Sequence, residues 1–218
     1  MNRRSESEPE RQTLRDRNRE TTVQAILAAA EEAFADAGLH AARMGEIAAK
    51  AGVSVGTLYN HFEDREALLA GLLAARRAEL LARMDAAIAA GTGESLRERL
   101  RRIVGVLLAH CEQHRKFLHL ALQRELGGYQ QTYPQGWAKK TDAMQAIHER
   151  VDGEMKRGAK EGALRPEMAE LAATFFFGMM KALIIRDLVL GKGAGLAAEI
   201  EGLLDMFFNG AGARRGAG

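Results

Sequence analysis

Apolar residues recur at three- and four-residue intervals in one segment after another, a period that predicts helices along most of the chain. Thr21-Thr22-Val23-Gln24 has capping-box form and opens a predicted helix to Ala37, ended by Gly38. Its apolar stripe is Ile26, Leu27, Ala30, Ala33 and Phe34. Met44–Ala51 follows with Ile47, Ala48 and Ala51 on one face. Gly52 stands where a residue of positive φ would stop that helix, and apolar Val53 can pin the turn to a core. Ser54 is an N-cap for a second short helix with Leu58 and Phe62 facing inward. Asp64 caps a long helix, Arg65 to about Ala90, with Leu68, Leu69, Leu72, Leu73, Leu80, Leu81, Met84 and Ile88 inward. At about 1.5 Å per residue this element spans roughly 39 Å.

Further along, Gly91-Thr92-Gly93 breaks the pattern, and Ser95-Leu96-Arg97-Glu98 is another capping box. Its helix runs to about Gln113, with Leu96, Leu100, Ile103, Val104, Leu107 and Cys111 inward. His114–Leu126 predicts a further helix, Gly127–Gly136 a loop, and Trp137 to about Lys160 a helix. Pro166–Leu190 is the most apolar stretch, and Leu196–Asn209 is a last amphipathic helix. These last two expose more apolar surface than one helical layer covers, which predicts a self-complementary homodimer through residues 166–209.

The fold class that follows is all-α. The two short helices around Gly52 form a helix-turn-helix, supported by the first helix to make a three-helix domain. The long helix joins it to a C-terminal helical domain that carries the dimerisation surface; the resemblance described below makes that domain ligand-binding as well. The expected divisions are a flexible basic arm at 1–20, the helix-turn-helix domain at 21–66, the second domain at 67–209 and a disordered tail at 210–218.

Composition narrows the classes. Hydrophobic residues make up 47% and charged residues 28% of the 218, an ordinary soluble balance, and 3 prolines suit a helical chain. Met1–Glu20 is too polar for a signal peptide. Lys181, Arg186 and Asp187 interrupt Leu171–Leu190, leaving an apolar run too short to span a bilayer. A single cysteine, Cys111, fits a reducing cytoplasm, and its place on an apolar face marks it as an inert core thiol. Net charge is only +2, and up to residue 65 eleven acidic residues outnumber nine basic ones. Nucleic-acid binding must therefore rest on where charges lie, as with Arg11, Arg15, Arg17 and Arg19 ahead of the first helix.

Ile26–Gly38, Ile47–Phe62 and the following Asp64-Arg65-Glu66-Ala67-Leu68 resemble the TetR-like transcriptional repressors. The resemblance is specific over roughly Thr21–Leu73 and extends beyond it only in the plan of helices. It implies a homodimer on double-stranded, palindromic operator DNA, released by a small-molecule effector held in the middle helices. By position it implies phosphate contacts from Thr57, Tyr59 and His61, with Arg65 in place of a phosphate-binding lysine. Val55, Gly56 and Asn60 match positions near base edges, and Gly45 and Ser54 complete the expected face. Chemistry agrees residue by residue. Hydroxyls donate to phosphates, Val55 suits a thymine methyl, and Asn60 suits an adenine edge. Gly56 within a helix costs about 1 kcal/mol against alanine, which close backbone approach to DNA or to a neighbouring helix would explain. Arg43 departs from the family's usual threonine; it caps a helix poorly but can reach a phosphate or guanine, or stay solvated.

Candidate effector-lining residues are Phe117, Leu118, Trp137, Met144, Ile147, Met155, Phe175 and Met179, an aromatic and methionine-rich set suited to an apolar or amphipathic molecule. Core packing explains any one of them equally well. Lys181 and Arg186 would meet an anionic group or pair across a dimer. His110, His114 and His119 cluster in sequence; His110 and His114 at i, i+4 have zinc-ligand spacing, but no carboxylate shares their face. Surface or pocket-edge histidines without metal, and no cofactor, is the expectation. No nucleophile–base pattern, phosphate loop or zinc-protease motif points to an enzyme. The competing class is a dimeric ligand-sensing or adaptor protein that has lost operator binding.

Overall fold

The computed structural model describes residues 14–120, 137–191 and 195–209, with side chains from 16 and, beyond the first gap, from 145. Among the described residues the chain is helical, with no strand. It divides into two compact units, one up to Ala74 and one from Ala75. The division falls within the long helix rather than at its start, because Leu68, Leu69 and Leu72 belong to the first unit's core while Leu80 and Met84 serve the second.

The first unit begins with α1, Leu14–Ala37. Its start corrects the expected arm: residues 14–20 are helical, and 1–13 lie outside the described residues. The physical reason lies in the threonines. Thr21 and Thr22 donate to the carbonyls of Arg17 and Asn18 at 2.9 and 2.8 Å, one turn back. A hydroxyl used that way sits inside a helix instead of capping one. Ile26, Ala30 and Phe34 are fully buried, and Gly38 ends the helix at φ 87°. The connection is packed, not loose, since Leu39 and Ala42 are buried too.

Helix α2 spans Met44–Lys50 and α3 spans Val55–His61. Between them, the Gly52 N–H donates to Ala49 O at 3.2 Å and the Val53 N–H to Ala48 O at 3.0 Å, with Gly52 at φ 70°. This is a Schellman turn, which closes the end of α2 and needs the left-handed residue the sequence supplies. Ile47, Ala48 and Leu58 are buried between α2, α3 and α1, whereas Val53 and Phe62 are half-buried. Phe62 ends α3 and lays its ring over Gly71, where an added Cβ would come within 2.6 Å of the ring.

Helix α4 is Arg65–Ala90; Asp64 Oδ1 accepts from the Ala67 N–H at 2.7 Å at its start. Leu73, expected inward, is 40% exposed.

The second unit continues with α5, Leu96–Gln113, whose Ser95 cap accepts from the Glu98 N–H. Residues 115–120 are helical again. Then come α6, Trp137–Lys160, and α7, Ala169–Ile184, entered through a 3-10 turn at Pro166–Met168 and leaving through a π turn at Ile185–Val189. A 3-10 turn at Leu196–Glu199 leads into α8, Ile200–Asn209. The predicted helices 166–190 and 196–209 are thus composite. Leu100, Ile103, Val104, Val151, Met155, Ala173, Phe176, Met180 and Leu204 form the core. Gly158 brings α6 close to α5: a Cβ there would lie 2.5 Å from Leu96.

Inside this core sits a charge network. Arg99 is 1% exposed; its Nε donates to Glu154 at 2.5 Å, one terminal nitrogen to Glu161 at 2.7 Å and the other to the Glu94 carbonyl at 2.5 Å. Burial works against its charge, but the bonds to Glu161 and Glu154 more than offset that and raise its pKa above the ordinary value. A second buried ion, Asp187, is held by Arg115, and His119 Nδ1 contacts the Leu188 carbonyl within the same π turn.

By length and composition Pro166–Leu188 is long and apolar enough to cross a membrane, with mean hydropathy 1.6, which corrects the expectation of too short a run. Its partners argue for packing in protein. Ala172, Ala173, Phe176 and Met180 face the core, and Arg186 pairs with Glu199.

Candidate functional site

Helix α3 is built as a display surface. Ser54 Oγ accepts from the Thr57 N–H at 3.0 Å and lies 2.8 Å from the Thr57 hydroxyl, fixing the helix start. Leu58 anchors the inner face at 0% exposure, while Val55 and Tyr59 stand outward at 46% and 49%. Gly56 and Asn60 are exposed beside them; Thr57 and His61 are half-buried on the flanks. The structure thus brings Ser54, Val55, Gly56, Thr57, Tyr59, Asn60 and His61 onto one short element. At Gly56 an added Cβ would meet only Ser54 Oγ, at 3.8 Å. Among the described residues nothing packs closely enough on this position to require glycine.

The edges differ. Arg43 precedes α2 in extended conformation with no side-chain cap bond, and its guanidinium, 81% exposed, lies 3.8 Å from Glu46. Gly45 is exposed on α2. Arg65 is half-buried, and one of its terminal nitrogens donates to the His40 carbonyl. Lys50 is paired with Glu32 at 2.5 Å across α2 and α1, so this cation is partly neutralised. The outer face of α3 is accordingly a neutral, hydroxyl- and amide-bearing surface, able to donate to phosphates and meet base edges without a large counterion-releasing charge.

In the second unit the expected effector lining separates. Phe117, Ile147 and Met155 are buried in the core and Leu118 and Met179 are partly buried against it. The side chains of Trp137 and Met144 lie outside the described residues. Phe175 is 61% exposed. Helix α7 turns Phe176, not Phe175, into the core. A cleft of about 350 Å³ is lined by Gly105, Leu108, Ala109, Glu112, Gln113, Ala197 and Ile200, none of them among the expected effector-lining residues.

The histidines divide as well. His110 and His114 are 3% and 6% exposed, so of the two expected placements the surface is not theirs, and their ring centroids are 4.6 Å apart. Burial, then the charge of His114, pushes His110 down to about 4. His148 meets Phe177 edge-on at 5.5 Å. Cys111 is buried, and that burial pushes its thiol up to about 12, consistent with an inert core residue.

Periodicity also passed over Arg99, Glu154 and Glu79. Arg99 was legible: it stands three residues after Leu96 and four before Ile103, on the buried face. Glu79 was not, because its neighbours His110 and His114 come from another helix.

Comparison with known proteins accords with this geometry. Residues 26–72 match the family model of bacterial regulatory proteins, tetR family. The HTH-type transcriptional repressor AcnR of Corynebacterium efficiens is 29% identical over 145 residues, covering 66% of this chain and 70% of that protein. The HTH-type transcriptional regulator UidR of Escherichia coli K12 is 41% identical over 58 residues, 27% of this chain and 30% of its own length. Among solved structures, the transcriptional regulator FadR from Bacillus subtilis in complex with stearoyl-CoA superposes with TM-score 0.72 at 22% identity, over 87% of this chain and 99% of that one. That likeness extends the fold through the second unit, while the matched motif lies in the first. The helix-turn-helix segment, residues 26–72, thus matches the tetR family of bacterial regulatory proteins, and the helical fold beyond it is similar to that of solved regulators.

Proposed function

We propose that this transcriptional regulator is a repressor that binds a palindromic operator as a homodimer and is released by a small apolar or amphipathic effector. The observation that carries the reading is the outer face of α3. A seven-residue helix fixed from behind by Leu58 and a Schellman turn presents Val55, Gly56, Tyr59 and Asn60 outward, and among the described residues nothing crowds the glycine. Thr57, Tyr59 and His61 hold phosphates, with Arg43 and Arg65 at the edges; Val55, Gly56 and Asn60 approach base edges.

Dimerisation is supported by Leu171, Phe175 and Met206, which stand 45%, 61% and 49% exposed on α7 and α8. Repression is supported by AcnR, named a repressor, and an amphipathic effector by FadR, solved with stearoyl-CoA. The switch is a change in the separation of two α3 helices, carried along α4. An effector produces it only by binding the DNA-incompetent state more tightly.

The test is selection of binding sites from random duplex DNA by the full-length protein. An enriched palindrome, retarded at moderate salt, is expected. Tyr59→Phe with His61→Ala weakens binding on every sequence, whereas Asn60→Ala changes the preferred sequence. No enriched sequence, with a dimer still present by sedimentation, favours the sensor or adaptor reading instead.

A further inference from the structure

The second unit holds a set of metal-ligating groups on two helices, Glu79 on α4 with His110 and His114 on α5. One ligand atom from each lies within 4.8 Å of the other two. Both histidines are more than nine-tenths buried, and Glu79 is half-buried beside them. The Nδ1 of His110 is buried and makes no hydrogen bond among the described residues. A buried ring nitrogen without a partner is costly unless something is bound there at some stage of the protein's life. His114 Nε2 stands 3.9 Å from Glu79 Oε2, too far for a hydrogen bond and close to the separation of two ligands on one ion. Around tetrahedral zinc, with bonds of ~2.0–2.2 Å, ligand atoms are roughly 3.3–3.5 Å apart. Small side-chain rotations close that gap.

From this geometry we propose a binding site for a divalent transition metal, zinc foremost, formed by Glu79, His110 and His114. Two imidazoles and one carboxylate are the donor set of borderline ions rather than of magnesium or calcium, which take oxygen ligands. Glu79 is occupied in the free protein: Arg76 reaches Oε2 at 3.2 Å and Arg83 reaches Oε1 at 3.7 Å. A metal ion displaces Arg76 from Oε2, while Arg83 keeps its bond to Gln113 at 3.2 Å. Three protein ligands leave a fourth position for water or an exogenous group, the arrangement of an exchangeable site rather than a closed structural one. Its occupation ties α4 to α5 within the second unit.

Untagged full-length protein, stripped with chelator, is titrated with Zn²⁺ against a chromophoric competitor and separately with Co²⁺ while visible d–d absorption is recorded. One saturable Zn²⁺ per chain and an intense, low-symmetry Co²⁺ spectrum are expected. Glu79→Gln, a near-isosteric change at a half-buried position, lowers affinity at least about tenfold. His114→Gln abolishes the Co²⁺ signal, and His148→Gln leaves both readouts unchanged. Helix content by circular dichroism verifies each variant. Absence of stoichiometric binding by the wild-type protein, or equal Zn²⁺ affinity in wild type and Glu79→Gln, overturns the assignment.

Discussion

Replacing Arg99 by methionine tests the charge network at the centre of the second unit. The guanidinium is 1% exposed and bonded to three acceptors, Glu154, Glu161 and the Glu94 carbonyl. Methionine keeps much of the volume and removes all three bonds. Glu161 is 40% exposed in its side chain and retains Arg157 at 2.8 Å, so its share of the loss is below about 1 kcal/mol. The Glu94 carbonyl loses one bond, worth about 1 kcal/mol. Glu154 has no such relief. At 5% exposure it becomes a buried carboxylate without its partner, and breaking such a pair costs about 3–5 kcal/mol. The expected deficit is therefore about 4–6 kcal/mol, most of it at Glu154.

Urea unfolding of wild type and variant at fixed protein concentration and pH, followed by circular dichroism and by the fluorescence of Trp137 on α6, measures the deficit. Arg99→Met should be markedly less stable than wild type. The double variant Arg99→Met/Glu154→Leu should recover most of the loss, because it leaves no buried charge without a partner. A deficit under about 1 kcal/mol, or a double variant no better than the single one, refutes the reasoning.

Gly56→Ala should raise the melting temperature slightly, since alanine gains up to about 1 kcal/mol in a helix and meets only Ser54 Oγ at 3.8 Å. It should weaken operator binding by about tenfold or more in gel retardation, equivalent to ~1–3 kcal/mol; unchanged affinity removes close backbone approach as the role of Gly56. Gly158→Ala should destabilise by about 1–3 kcal/mol because its Cβ would lie 2.5 Å from Leu96, and Leu96→Ala in the same chain should recover part of that by thermal unfolding. Arg150→Gln, which breaks an exposed pair with Asp85 at 2.7 Å, should cost less than about 1 kcal/mol in urea titration, a direct contrast with Arg99. Cys111 should stay unlabelled by a disulfide reagent at pH 8 in the native protein and react fully in denaturant, as expected of a buried thiol pushed up to about 12.

By itself the sequence determined the first unit almost completely. Gly52 and Ser54 carry their own local instructions, a left-handed stop and an N-cap, and Leu58 repeats the period of the helices around it; such signals act over one turn and need no tertiary partner. The helices of the second unit were legible for the same reason. Thr21 shows the limit even locally, because a threonine hydroxyl serves equally as a cap or as a donor one turn back, and the favourable run from Leu14 decided between them. Which face of a helix is covered, and by what, was decided only in three dimensions. Phe175 and Phe176 look alike in the chain, but one reaches the core and the other is left outside. Arg99 finds Glu154 and Glu161 across 55 and 62 residues, and Glu79 meets two histidines of the next helix. Ion pairs and ligand sets depend on distances between elements, and no period along a single helix encodes those.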